Sequence, residues 1–372
     1  MTMLRVLHIY HDYWPTRGGI EDYLGELLRR QAGQVLPGQM ANLEPILLCA
    51  NDAPRTVEEW HEGVYVVRSA AVGRYYTPFC PAWPKWIRRL QPDLLHLHLP
   101  CPLGEWAIAL ADQDTPLVAS LHNEYVRPRW ALMLQRPLQR RLLRRAAAIL
   151  VGAPDYAATS EVLCGVREKV RHAPYGIDLA CYGRDAARGT RQRVVLFAGR
   201  LAYYKGVETL LVAAAQIEAP IVIAGDGRWR PRLEAQAQGL GLQQRVTFLG
   251  AVTETRLNEL MLQSRLFVFP STERSESFGL AQLKAMACGL PVVSTDLPGV
   301  SWLNQHDRSG LTVPVRDAPA LAAAVNRLLR DDALCDRLAR GAVVRARQFD
   351  LETMAQAVAQ VYAQVSTTPS RR

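Results

Sequence analysis

The chain is most constrained by a rhythm that runs through it twice. Short apolar runs rich in leucine, valine and isoleucine recur, each followed by a segment long enough for a helix. The first half offers Leu4–Ile9, Pro45–Cys49, Val64–Arg68, Leu94–His98, Pro116–Leu121 and Ala148–Val151. The second half offers Val194–Ala198, Pro220–Ala224, Val246–Leu249, Leu266–Phe269 and Pro291–Ser294. Strands that are apolar throughout are buried on both faces, so these runs predict parallel sheets covered by helices. Between the two sets lies Cys181–Arg193, polar and without periodicity, which reads as a linker. A chain of 372 residues also exceeds what one core usually holds. The expected architecture is therefore α/β, with Rossmann-like doubly wound domains at 1–180 and 194–350 facing each other across a cleft. Residues 351–372 should form a helix packing back toward the first domain, followed by a polar tail. In such sheets ligands lie outside the C-terminal ends of the strands.

Composition narrows the setting. No apolar run approaches the length of a bilayer span, and His8, His11 and Asp12 break the first one, so a signal peptide is not expected. The seven cysteines are odd in number, scattered, and form no Cys-x-x-Cys pair, which suits free thiols in a reducing cytoplasm. Net charge is +9, yet no nucleic-acid-binding module accompanies it, so no nucleic-acid partner is expected. The basic residues are locally concentrated. Seven arginines and no acid fall between Tyr125 and Pro154, with Arg136, Arg140 and Arg144 on one helical face and Leu134, Leu138 and Leu142 on the other. Together with Trp83–Arg89, the segment Arg136–Arg145 predicts peripheral contact with the inner face of the cytoplasmic membrane.

Four constellations could carry chemistry. Gly18 and Gly19 follow the first strand and open a helix, where a backbone can approach a phosphate closely. His122 sits just past a strand, in Val118-Ala-Ser-Leu-His-Asn-Glu124, and His96 and His98 share one strand face. In Phe197-Ala-Gly-Arg-Leu-Ala-Tyr-Tyr-Lys-Gly-Val-Glu208, Arg200 offers a planar fork of donors and Lys205 a compact charge, both suited to a diphosphate. Glu276 precedes a helix headed by Ser277, Phe278, Gly279 and Leu280, whose unpaired N–H groups and partial positive charge suit an anion. The histidines lack further ligands at zinc-binding spacing. Asp112-Gln-Asp114 precedes a strand rather than following one and reads as a loop. No metal site is expected.

These motifs, spread over nearly the whole chain, closely resemble those of glycosyltransferase family 4. The resemblance implies a GT-B fold and a retaining, metal-independent enzyme without a cofactor. The donor would be a UDP- or GDP-linked sugar and the acceptor a glycan or a lipid-linked species in surface polysaccharide synthesis. It implies that Arg200 and Lys205 neutralise the leaving diphosphate, that His122 contacts the transferred sugar, and that Glu276 holds its hydroxyls. Ser277 to Leu280 would hold the phosphate, the Gly18–Gly19 loop would lie against donor and acceptor, and Gly250 and Val252 would seat the base. One position departs from the pattern: the family's second glutamate, eight residues after the first and typically on the ribose, is Lys284. A charged ammonium accepts no hydrogen bond. The alternative is therefore an impaired GT-B protein that binds a sugar nucleotide or a partner without turnover.

Overall fold

The computed structural model describes residues 2–16, 18–38, 41–72, 79–111, 114–124, 129–182 and 191–366, with the backbone alone for 2 and 129–132. Residues 183–190 of the expected linker, together with Asp112 and Arg127, lie outside the described residues. The chain divides into two compact units, residues 1–176 with 351–372 and residues 177–350.

Unit 1 is built on eight strands: β1 (Thr2–Ile9), β2 (Ala41–Ala50), β3 (Val57–His61), β4 (Val64–Ser69), β5 (Leu94–Leu99), β6 (Leu117–Leu121), β7 (Ala148–Val151) and β8 (Val170–His172). Their order is β3-β4-β2-β1-β5-β6-β7-β8, parallel except for the antiparallel β3–β4 pair at one edge. Helices α1 (Gly19–Gln31), α2 (Trp83–Leu90), α3 (Pro102–Ala111), α4 (Arg129–Arg145) and α5 (Pro154–Ala158) fill the crossovers.

Unit 2 carries β9 (Val195–Ala198), β10 (Ile221–Ala224), β11 (Val246–Gly250), β12 (Leu266–Phe269), β13 (Val292–Thr295) and β14 (Gly310–Val313), all parallel, in the order β11-β10-β9-β12-β13-β14. Counted within the unit this is 3-2-1-4-5-6, the doubly wound order whose reversal falls between its first and fourth strands, here β9 and β12. Its helices are α6 (Val207–Ala214), α7 (Arg230–Gly239), α8 (Glu254–Gln263), α9 (Leu280–Ala287), α10 (Val300–Leu303), α11 (Ala318–Arg330) and α12 (Asp332–Ala346). The starts of α8, α11 and α12 are capped by Thr253, Asp317 and Asp331, whose side chains accept from the N–H groups of Arg256, Ala320 and Leu334. Val195, Phe197, Ile221, Ile223, Val268 and Val293 bury their side chains against Leu210, Leu321, Val325 and Leu328 of the covering helices. Each such burial contributes about 1.5–3 kcal/mol.

Every apolar run of the sequence forms a strand, and the structure adds three. β3 is a half-exposed edge strand with a charged and aromatic sequence, and β8 and β14 are only three and four residues long. The last helix, α13 (Leu351–Ser366), belongs to unit 1 and packs on α1. It brings the fully buried Tyr362 to the β1–β5 face of the sheet, where its hydroxyl meets His96 Nδ1 at 2.5 Å and accepts from Gln31 Nε2 at 3.3 Å. Among the described residues no helix is long and apolar enough to cross a membrane.

The basic-aromatic segment Trp83–Arg89 departs from expectation. Trp83 and Trp86 lie on the inner face of α2 and are buried, leaving Lys85, Arg88 and Arg89 outside. The segment is an amphipathic helix whose tryptophans are core, not an aromatic surface patch. The leucine stripe of α4 is likewise buried only at its C-terminal end: Leu142 is core, Leu138 is half-buried and Leu134 is 72% exposed.

Candidate active site

The reversal of strand order in unit 2 places two loops side by side, one leaving β9 and one leaving β12. The sequence motifs fall on these loops. Thr272 ties them together, donating from its N–H (2.7 Å) and its hydroxyl (3.3 Å) to the carbonyl of Tyr204. The approach is close enough to require glycine at 206. Its φ is +69°, and a Cβ there would lie 1.8 Å from the carbonyl oxygen of Pro270.

This packing brings Lys205 and Glu276 together. Lys205 Nζ donates to Glu276 Oε2 at 2.5 Å, and each side chain is only 12% exposed. Burial pulls the ammonium's pKa down, but the charge of Glu276, the Tyr204 hydroxyl and the hydrogen bond outweigh it. The net shift is upward, so Lys205 stays charged. The rings of Phe269 and Tyr204 lie 5.1 and 5.4 Å from the ammonium and add cation–π attraction. Arg200 stands on the exposed lip of the same loop.

Immediately after Glu276 the chain enters α9. Ser277 and Phe278 are buried, and Gly279 caps the helix at φ +89°. A Cβ at Gly279 would come 2.8 Å from the Phe269 ring. Gln282 Nε2 donates to the carbonyls of Phe278 (2.7 Å) and Val300 (3.1 Å), fixing the first turn. The positive end of the helix dipole thus falls beside the Lys205–Glu276 pair. Gly250 ends β11 and Val252 follows two residues later; β11 lies two strands, about 10 Å, across the sheet from β9.

Lys284 pairs with an acid, Glu254, donating to Oε1 at 2.7 Å with its side chain 15% exposed. Glu276 is already held by Lys205, and Glu254 is the first residue of α8. Tyr182 also donates to Glu254. Tyr182 and Glu254 were missed in the sequence because each is brought in from another element, and Tyr204 and Thr272, although beside the motif residues, because no spacing marks their contacts.

In unit 1 the glycine pair stands at the start of α1. Gly18 is extended, with φ −179°, and Gly19 is the first residue of α1, so neither occupies the left-handed region. The conformation does not require glycine at either position.

His122 belongs to a buried ladder. β5 sets His96 and His98 on one face, β1 places His8 opposite His96, and β6 places Ser120 opposite His98. His8 Nδ1 meets His98 Nε2 at 3.0 Å, His98 Nδ1 meets His122 Nε2 at 2.9 Å, and His122 Nδ1 meets the Tyr175 hydroxyl at 2.8 Å. His96 Nε2 meets Ser120 Oγ at 2.7 Å. A neutral imidazole has one donor and one acceptor, so the three His8–Tyr175 bonds run in one sense. Burial pushes His8 and His122 down to about 3 and holds His96 and His98 well below the usual range. Gln31 works against the shift at His8, though no hydrogen bond of ordinary length joins it to His8 Nε2. Both ring nitrogens of His122 are therefore engaged inside unit 1, and neither is left over for a sugar in this arrangement.

Nitrogens of His8, His96 and His98 lie within 4.8 Å of one another. A metal does not fit them. The nitrogens that would have to ligate are already engaged, His98 with His8 and His122 and His96 with Tyr362 and Ser120, so an ion could bind only by breaking these hydrogen bonds.

Residues 17–180 match the family described as Glycosyltransferase Family 4, and residues 184–344 match that described as glycosyl transferases group 1. The chain is 32% identical to a D-rhamnosyltransferase of Pseudomonas aeruginosa over 93% of its own length and 92% of the relative's. It is 28% identical to the O-antigen chain mannosyltransferase C of Escherichia coli over 98% of each. Its fold is similar to that of a sucrose-phosphate synthase from Thermosynechococcus elongatus, with TM-score 0.80, 24% identity, and 97% and 98% of the two chains covered. It is also similar to Anabaena HepE, solved with UDP and glucose, with TM-score 0.77, 22% identity, and 97% and 99% covered.

Proposed function

Since the chain belongs to the family 4 glycosyltransferases and has the two Rossmann-like units of a GT-B fold, we propose that it is a retaining, metal-independent hexosyltransferase. It moves a sugar from a nucleoside diphosphate to a glycan or lipid-linked acceptor in surface polysaccharide synthesis. The rhamnosyl- and mannosyltransferase relatives and the UDP-bound neighbour support that substrate class.

The observation that carries the reading is the Lys205–Glu276 pair at the β9/β12 reversal, beside the start of α9. Lys205 commits one N–H to Glu276 and has two more for a phosphate oxygen. Arg200 and the N–H groups of Phe278 to Leu280 add to the positive potential against which the diphosphate departs. The acceptor hydroxyl attacks the anomeric carbon on the leaving-group face, the bond to the phosphate oxygen breaks, and that oxygen takes the hydroxyl proton. Glu276 orients the sugar's hydroxyls, and Gly250 and Val252 seat the base. Lys284, neutralised by Glu254, does not burden the nucleotide with an unpaired charge, which favours turnover over the impaired alternative.

Transfer should proceed undiminished in EDTA, because protein cations and a helix terminus occupy the role a metal plays in other transferases. Nucleotide release from UDP- and GDP-sugars, followed with and without chelator, checks this. Activity abolished by EDTA and restored by manganese would overturn the metal-independent reading.

We also propose a membrane contact through α3 and α4. Its apolar part would come from Trp106 and Leu110 on α3 and from Met133 and Leu134 on α4, each more than half exposed. Gln135 and Gln139 pin α4 to α3 by donating to the buried Glu105, whose carboxyl burial pushes up to about 8. Arg136, Arg140, Arg141 and Arg144 line the exposed side of α4. Vesicles containing anionic phospholipid should carry the protein upward on flotation, and salt should release it. At roughly 0.8 kcal/mol per buried CH₂, Met133→Ser with Leu134→Ser should cost tenfold or more in vesicle affinity. Flotation indifferent to anionic lipid and to both substitutions would exclude this surface.

A further inference from the structure

At the edge of unit 1, β3 runs antiparallel to β4 and sets Trp60 opposite Tyr65. Their ring centroids are 5.5 Å apart at 47°, so the two form an angled aromatic wall. They line a cleft of about 310 Å³ with Ile46 and Leu90 also in its lining. That is at the lower end of small-molecule sites, about 300–1,000 Å³. Trp86 of α2, only 9% exposed, lines the same cleft beneath the Arg89 guanidinium, which lies over its ring at 4.5 Å. Two ion pairs line it, Arg5 with Glu44 at 3.1 Å and Arg89 with Glu58 at 3.8 Å, and Tyr65 donates its hydroxyl to Glu58.

Three features specify what fits. Trp60 is 68% exposed, a large apolar ring presented to water at the mouth of a cleft. The charges are balanced, two arginines against two glutamates, so the site favours neither an anion nor a cation. Carboxylates accept and guanidinium groups donate in pairs, which matches vicinal hydroxyls. A neutral molecule with an apolar face and a rim of hydroxyls is a pyranose. The cleft is also remote from the reacting end of the sheet. Arg5 stands four residues before the end of β1, about 13 Å along the strand from where the glycine loop begins.

We infer that this cleft is a second carbohydrate-binding subsite, which holds a neutral stretch of the acceptor glycan away from its reacting terminus. The inference rests on the glycosyltransferase reading and deepens it, because a site of this kind makes affinity grow with acceptor length.

The test uses the full chain, methyl α-mannoside as short acceptor and a neutral α-mannan as long one. Tryptophan fluorescence reads mannan binding, and nucleotide release from UDP- and GDP-sugars reads transfer. Trp60→Ala should weaken mannan binding at least tenfold and raise KM for mannan, leaving kcat and the kinetics with methyl mannoside unchanged. Trp60→Phe should restore most of the affinity, which a merely unfolded edge strand would not allow. Equal mannan affinity in parent and Trp60→Ala, binding by neither, or equal losses with both acceptors would overturn the subsite. Absence of transfer to any acceptor, with mannan binding still sensitive to Trp60, would overturn the proposed function and leave the subsite standing.

Discussion

Lys205→Met should lower kcat by about 10²–10³, the loss that follows removal of one preorganised donor to a developing oxyanion, about 2.7–4 kcal/mol. The same change should also destabilise unit 2. Glu276 is 12% exposed and Lys205 Nζ is its ion-pair partner, so the variant leaves a carboxylate in a poorly hydrated place. Breaking such a pair from one side commonly costs about 3–5 kcal/mol, whereas removing both charges costs far less. Lys205→Met with Glu276→Gln should therefore recover the melting temperature, while its rate stays well below that of Glu276→Gln alone. That separation distinguishes a diphosphate-binding ammonium from a structural ion pair. A double variant as stable as the parent and as fast as Glu276→Gln alone would assign Lys205 a structural role only.

Unit 1 should be acid-labile well above the range in which carboxylates titrate. His8, His96, His98 and His122 are buried and neutral, with folded pKa values depressed below the unfolded value near 6.5. Below that value the unfolded chain binds protons that the folded one refuses. Stability is thus fully present above about pH 6.5 and falls as pH drops toward the folded values, about 3 for His8 and His122. Each histidine removes about 1.4 kcal/mol by one pH unit below 6.5, so four remove on the order of 5 kcal/mol at pH 5.5, comparable with the whole stability of many domains. Melting temperature between pH 8 and 5.5 should drop steeply, and His98→Gln should flatten that slope even if it lowers the value at pH 8. An unchanged slope would mean that the ladder is not buried neutral in solution.

Much of this was legible in the chain itself. Local signals sufficed for the strands, because a run such as Leu266–Phe269 or Ala148–Val151 that is apolar at every position can only be covered on both faces. They also marked Arg200, Lys205 and Glu276 as candidates, since loops that follow strands in a doubly wound sheet end where ligands bind. Edge elements were not legible. β3 reads Val-Glu-Glu-Trp-His, and only its pairing with β4 makes it a strand and turns Trp60 toward a cleft.

The sequence by itself determined the fold class, the division of labour between motif and scaffold, and the chemical kind of each site residue. Partners were decided by the tertiary structure alone. The spacing of Lys284 says that an acceptor has been replaced by a cation, but only the tertiary structure, which brings the first residue of α8 beside it, gives that cation to Glu254. His96 and His98 announce a shared strand face, yet the ladder needs β1, β6 and Tyr175 to satisfy each ring. The same holds for the aromatic membrane patch, whose tryptophans the helix turned inward. The physical reason is range. Propensity, periodicity and glycine torsion act over a few residues and are written locally, whereas hydrogen bonds and ion pairs are settled by whichever groups the closed fold brings within about 3 Å.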